Sequence, residues 1–322
     1  MTATTIGPWK LGPAFVTSEE ANEQLEKYKG ISHTERLFET WEASAIPGHL
    51  SIVAEGPDAG LTIPQLIEKY GEQFLGKRVA KEYGPVFPLL MKLVYCCGDL
   101  TLHVHTPDAF AEDDFGVLGR EEFWYILDAP EGAEILTGFN EAITVEEFED
   151  AVKNHTIINH IARTPACPGD AFYIPAGRPH SLTPGILLLE IFDPAMSGHD
   201  LYSFRDPERV VDSDTLADAA DAIDVTVLPS YRTEPEPAID GIEGLAHTSH
   251  FSVNRLTISG KKILYNYENS FVLYHCVEGE VKLSVGSDES AISLCRGESV
   301  VVAGSSKRIV FDGEGVVVAA HM

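Results

Sequence analysis

A mainly β chain, built as two β-rich units with a few short peripheral helices, is what the sequence predicts. Three observations carry the prediction. Apolar runs of strand length, separated by Gly, Pro and Asp turns, follow one another between about residues 88 and 192. The same spacing returns from about residue 249 onward, at the intervals of a barrel or sandwich. Between them, residues 206–248 are rich in Asp, Glu, Ala and Pro and show little strand pattern. At 322 residues the chain also exceeds the usual single domain. The expected division is therefore residues 1–240, with the helical decorations and an acidic connector, and residues 241–322, a second β unit.

Two helices announce themselves by their starts. Thr62 with Gln65, and Thr144 with Glu147, form capping boxes ahead of IPQLIEKYGEQF and VEEFEDAVKN. Leu61 with Leu66, and Ile143 with Phe148, stand at hydrophobic-staple positions. A weaker helix covers DTLADAADAI. The strand runs of the first unit are PLLMKLVYC, LTLHVH, FWYILD, AEILTGF, TIINHIAR, DAFYIP and GILLLEIF. Those of the second are FSVNRLTIS, SFVLYHCVEGEVKLSV, AISLCRGESVVVAG and RIVFDGEGVVVAA, with a GEV turn predicting a hairpin inside the second of them.

Composition narrows the partners. Hydrophobic residues make up 44% and charged ones 23%, a globular profile. The formal net charge of −27 repels nucleic-acid phosphates and anionic membrane surfaces, so neither is an expected partner. No apolar run reaches the length of a bilayer span, and the first residues lack the basic and apolar regions of a secretory signal. The five cysteines, with Cys96 and Cys97 adjacent, have no metal-finger spacing and read as core thiols of a reducing compartment. A cytoplasmic location is expected.

One constellation carries chemistry. His103 and His105 stand two apart in LTLHVH, so on a strand both imidazoles point to one face. Downstream, GDAFYIPAGRPH sets Gly169, Pro175, Gly177 and His180 in the order of a strand, a tight turn and a histidine at the turn's exit. The spacing G-x5-P-x-G-x2-H matches the second cupin motif position for position. The first cupin motif is present in looser form as Gly98, His103 and His105, followed by a carboxylate before FWYIL. Glu122 is the expected ligand there; Glu121, its neighbour, faces the other way on a strand. Three imidazoles and one carboxylate predict one divalent metal, Zn, Mn, Fe, Co or Ni, and the ligand set alone does not choose among them. Residues 249–322 offer neither an HxH pair nor a PxGxxH turn, which predicts a single metal per chain.

FPLLMKLVYCCGDLTLHVHTPD, REEFWYILDAPEGAEILTGFN and PGDAFYIPAGRPHSLTPGILLLEIF together resemble the short bacterial form of class I mannose-6-phosphate isomerase, and ETWEASAIPGHLSIV is similar to that family's tryptophan-containing stretch. The resemblance implies two cupin-type, jelly-roll β-barrels and a metal-dependent aldose–ketose isomerase acting on a sugar or sugar phosphate. It implies that His103 stands where the family has a glutamine ligand, with His105, Glu122 and His180 completing the set. It implies acid–base or substrate-contacting roles for Lys92, in the FPLLxK strand, and for Glu190, in GILLLEIF. The family's lysine before the ligand glutamate is Arg120 here, which keeps the charge but not the titration range. The family's catalytic arginine aligns on Asp200 in SGHDLYSF, a cation replaced by an anion. That change leaves two alternatives: an isomerase or epimerase of a non-phosphorylated sugar, or a non-catalytic carbohydrate-binding metal cupin. A homodimer is left open.

Overall fold

The computed structural model describes residues 6–98, 100–107, 119–195, 198–266, 270–286 and 291–322. The chain divides into two compact units: a terminal unit of residues 1–17, 23–93 and 234–322, and a central unit of residues 18–22 and 94–233. The junction at 233 and 234 falls near the expected boundary at 240. Residues 23–93, however, cluster with the C-terminal β unit rather than with the histidine-bearing segment. Local strand patterning marks where elements lie but is blind to which distant segment an N-terminal strand will pair with.

The terminal unit opens with β1 (Trp9–Gly12), β2 (Ala14–Thr17), α1 (Gln24–Lys29), β3 (Leu37–Ala43) and β4 (Ile52–Val53). These N-terminal strands were not foreseen. The capping box at Thr62 forms as expected and starts α2 (Ile63–Tyr70), but the helix breaks at Gly71 into α3 (Glu72–Leu75) and α4 (Lys77–Tyr83) instead of running to Phe74. β5 (Leu90–Tyr95) then leads into the central unit.

The central unit carries β6 (Thr101–Val104), β7 (Glu122–Asp128), β8 (Glu134–Phe139), α5 (Val145–Lys153), β9 (Ile161–Pro165), β10 (Ala171–Ile174), β11 (His180–Leu182), β12 (Leu187–Phe192), β13 (His199–Ser203) and α6 (Ser213–Ala222). TIINHIAR, read as a strand, is a 3-10 turn over Ile157–His160 before β9 begins. Within the unit β10, β7 and β12 are antiparallel neighbours, and a five-stranded antiparallel sheet runs β13-β6-β11-β8-β9. Leu102 and Val104 enter an apolar cluster with Phe139, Phe148 and Leu201. Strand alternation therefore turns Thr101 and His103 to the opposite face.

The last part of the terminal unit is β14 (Ile242–His247), β15 (Ser252–Ser259), β16 (Lys262–Tyr265), β17 (Val272–Val285), β18 (Ile292–Cys295), β19 (Ser299–Val302) and β20 (Arg308–His321). They form a nine-stranded sheet in the order β14-β15-β20-β17-β19-β1-β4, with β16 on β20 and β18 on β17. α6 forms where the weaker helix was expected, over DTLADAADAI, whereas β14 begins inside the segment read as showing little strand pattern. The hairpin expected at GEV is absent: β17 runs straight through with a bulge between Cys276 and Glu278, paired with β20 along its length. Gly279 takes a positive φ of 76°, and a side chain there would meet the Glu314 carbonyl at 2.2 Å, so it serves the bulge and close strand approach. Cys96 and Cys276 are buried and Cys97 partly so, but Cys167 and Cys295 are exposed, against the reading of all five as core thiols. Among the described residues no helix is long and apolar enough to cross a membrane.

Candidate metal centre

Three imidazoles converge in the central unit. His103 projects from β6, His105 follows at its end, and His180 opens β11, where it pairs directly with His103 across the sheet. The Pro175–Gly177 turn delivers His180 to that register. Gly177 has φ 83°, its N–H donates to the His105 carbonyl at 2.8 Å, and its own carbonyl accepts from Asp224 N at 2.7 Å. A side chain at Gly177 would meet the Ala222 carbonyl at 2.4 Å, so both the backbone angle and the close approach require glycine.

Ligand atoms of His103, His105 and His180 lie within 4.8 Å of one another. His180 Nδ1 faces the Arg178 carbonyl at 2.8 Å and His103 Nδ1 the Thr101 carbonyl at 3.3 Å. Donation from Nδ1 fixes the tautomer that leaves Nε2 with its lone pair, the form that ligates metal. Buried His180 Nε2 has no hydrogen-bond partner, an orphaned acceptor that a bound cation would satisfy. Burial, reinforced by the neighbouring His180 and His105, holds His103 well below its ordinary pKa. Burial, with the Arg120 charge, lowers His105 to about 4. Both imidazoles are therefore neutral, as ligands must be.

Glu122, at the start of β7, faces the group: its Oε1 is 2.9 Å from His105 Nε2 and its Oε2 is 3.6 Å from His180 Nε2. Burial disfavours its charge, but the Arg120 guanidinium, 2.5 Å away, and His105 outweigh that and hold the carboxyl well below its ordinary range. Arg120 also lies 3.8 Å from Glu190 and stacks over the Phe192 ring at 4.0 Å. The donor set of three nitrogens and an ionised carboxylate fits a divalent cation.

Two residues that the sequence reading passed over belong here. Trp124 sends its Nε1–H to Glu122 Oε2 at 3.0 Å and Glu190 Oε1 at 3.3 Å, and its ring meets His180 edge-on at 5.4 Å. Arg209 pairs with Asp200 at 3.4 Å. Trp124 shares a face of β7 with Glu122, a legible i, i+2 signal; Arg209 lies in irregular chain, where no period pointed to it. Asp200 pairs in register with His103 and accepts from the Thr101 hydroxyl at 2.9 Å. Arg205 and Arg178 are engaged elsewhere, by Glu20 at 2.6 Å and by the Tyr173 carbonyl at 3.1 Å. The backbone N–H of Glu121 donates to Asp193 at 3.2 Å, and its carboxylate meets the Tyr173 hydroxyl. Lys92 counts with the terminal unit, where it pairs with Glu39 at 3.1 Å and lies 5.1 Å over the Trp41 ring.

Comparison with known proteins places this geometry. Residues 242–322 match the family model described as mannose-6-phosphate isomerase, cupin domain. A probable mannose-6-phosphate isomerase, GmuF, from Bacillus subtilis is 30% identical over 240 residues, covering 73% of this chain and 74% of that protein. This chain belongs to the mannose-6-phosphate isomerase family. The mannose-6-phosphate isomerase of Streptococcus mutans is 28% identical across 89% of each chain. The crystal structure of the Bacillus subtilis enzyme superposes with a TM-score of 0.83 at 27% identity, covering 98% of this chain and all of that one. The mainly β fold and the aldose–ketose isomerase class expected from the sequence both hold.

Proposed function

We propose that this chain interconverts mannose 6-phosphate and fructose 6-phosphate, with one divalent metal held by His103, His105, Glu122 and His180. The observation that carries the reading is the trio of imidazoles, His105 and His180 buried and His103 partly so, whose His180 Nε2 is an orphaned acceptor set against an ionised carboxylate. Zinc is the metal we propose first, since nitrogen-rich sets with one carboxylate suit it well, with Mn, Fe, Co and Ni as alternatives. When bound, the metal supplies Lewis-acid polarisation of the sugar's carbonyl and hydroxyl oxygens.

The remaining steps fall to the protein. The reaction moves a proton between adjacent carbons, which needs a base held in place. Glu190, oriented by Trp124 and faced by Arg120, takes that proton on its carboxylate and returns it to the neighbouring carbon. Arg120 cannot titrate, so it orients oxygen-borne negative charge rather than carrying protons. Lys92 is assigned a substrate contact on the family resemblance. The acidic composition and five free cysteines support a cytoplasmic enzyme without nucleic-acid partners.

The alternative of an uncharged sugar draws its support from Asp200 in place of the family arginine. Its pairing with Arg209 sets a cation beside that carboxylate, which favours the phosphorylated substrate. A coupled isomerase assay of the metal-loaded protein on mannose 6-phosphate, beside free mannose and lyxose, decides between them. Turnover of the phosphate ester at least about a hundredfold above the free sugars, in kcat/KM, is expected. Equal or greater turnover of a free sugar would establish the alternative.

A further inference from the structure

The terminal unit contains an open cavity of about 420 Å3 to which the metal chemistry gives no role. Its origin is a single row of residues across three strands. Asn254 on β15 pairs with Ala319 on β20, and Ala319 pairs with Tyr274 on β17. The methyl of Ala319 between two larger polar side chains leaves a notch. The next row inward, Leu256, Val317 and Cys276, is buried and forms part of the apolar cluster of this sheet. Val272, Ile309, Asn266 and His321 also line the notch.

Three properties of the lining define what it can hold. No Asp, Glu, Lys or Arg lines it among the described residues, so an ion entering would lose its hydration without a counter-charge. The Asn254 side-chain amide and the Tyr274 hydroxyl have no hydrogen-bond partner among the described residues, and burial holds the Tyr274 phenol above its ordinary pKa, keeping it a donor. Asn266 spends one N–H on the Ser270 carbonyl at 2.7 Å, and His321 Nδ1 faces the Met322 carbonyl at 3.0 Å; each retains further polar atoms. Apolar walls with a few convergent neutral donors and acceptors, in a cavity of this volume, describe a small-molecule site rather than a packing defect.

We propose that the cavity bounded by Asn254, Tyr274 and Ala319 is a second binding site of this enzyme, for an uncharged pyranose-sized polyol. The C–H face of such a ring covers Leu256, Val272 and Ile309, while its hydroxyls reach the Asn254 amide and the Tyr274 hydroxyl. Phosphorylated sugars are disfavoured because no Lys or Arg lines the cavity among the described residues.

Calorimetric titration of the full, metal-loaded chain with methyl α-D-mannopyranoside tests it, because a glycoside cannot open to the aldehyde and is inert to isomerisation. One saturable site per chain is expected, undiminished by saturating mannose 6-phosphate. Asn254→Ala should weaken it about five- to tenfold, and Ala319→Phe, which fills the notch, should abolish it, both with isomerase activity and circular dichroism unchanged. Absence of saturable binding to the wild-type chain overturns the proposal, as does binding that mannose 6-phosphate displaces, which would place the glycoside at the metal centre. If Ala319→Phe does not fold, an undiminished affinity in Asn254→Ala overturns it alone. Failure of this site leaves turnover of mannose 6-phosphate untouched, so the two readings fail separately.

Discussion

Trp124 is the residue whose neighbours say most about the metal centre. One indole N–H faces both the proposed ligand Glu122 and the proposed base Glu190, and the ring backs His180. Trp124→Phe keeps the ring and removes the donor. Partners of this kind orient metal ligands, so metal affinity should fall by roughly 10- to 100-fold while the thermal unfolding midpoint of the apo protein changes little. Competition with a chromophoric chelator measures the affinity, and an unchanged value would confine Trp124 to packing. Arg209 allows a second test. If it supplies the positive charge that Asp200 lacks, Arg209→Ala should lower kcat/KM on mannose 6-phosphate by roughly tenfold. Adding Asp200→Arg to that variant should restore it. Steady-state kinetics of the single and double variants read the outcome, and full activity of Arg209→Ala would remove Arg209 from the site.

Among the elements of the terminal unit, α1, β3, β17 and β19 meet at one buried ionic network. Glu42 on β3 lies 2.5 Å from Lys29 and accepts from Thr40 at 2.6 Å and Ser299 at 2.8 Å, and Ser299 in turn contacts His275 Nδ1 at 2.9 Å. Burial opposes the charge on Glu42, yet Lys29 and His275 hold its carboxyl below the ordinary value. An ion pair so enclosed adds little over an apolar pair, but removing one partner strands the other. Glu42→Ala should therefore destabilise the chain by about 3–5 kcal/mol in chemical denaturation. Thr144→Ala, which removes only the α5 capping box on the surface, should lose about 1 kcal/mol. Similar losses in the two variants would mean that the network does not tie these elements together.

At the scale of the whole molecule, buried neutral imidazoles make stability depend on acid. Burial lowers His275 from 6.5 to about 4, with Glu42 acting against that shift and Lys29 with it. The folded state thus binds fewer protons than the unfolded chain between those values, and stability falls as pH drops through that window. The loss reaches about 3 kcal/mol once pH is below the folded value. His275→Gln should flatten the dependence of the denaturation midpoint between pH 6.5 and 4, and an unaltered slope would assign the acid sensitivity to other groups. Metal content is also a property of the whole chain. Among the described residues one histidine cluster is assembled, so elemental analysis should find about one equivalent per chain, and close to none in His180→Ala. Two equivalents would reveal a second centre.

The histidine trio and both capping boxes were legible because their geometry is local: an HxH pair on a strand, a PxGxxH turn and a T-x-x-Q or T-x-x-E start each place their atoms within a few residues. Strand periodicity likewise exposed the mainly β character, since alternation is written one residue at a time. Periodicity was silent on where β17 would stop, because a Gly-Glu-Val sequence serves a bulge or a turn equally well until a partner strand as long as β20 lies beside it. It was equally silent on the N-terminal strands, the Asp200–Arg209 pair and the Glu42 network. The Glu42 network depends on segments far apart in the chain being brought together, as Glu42 and Ser299 are, whereas Arg209 stands nine residues from Asp200 in irregular chain that carries no period. The sequence by itself thus determined the histidine trio and the class of fold, whereas only the tertiary structure decided which strands share a sheet and which charges find partners, because pairing energy is set by contacts that no local pattern encodes.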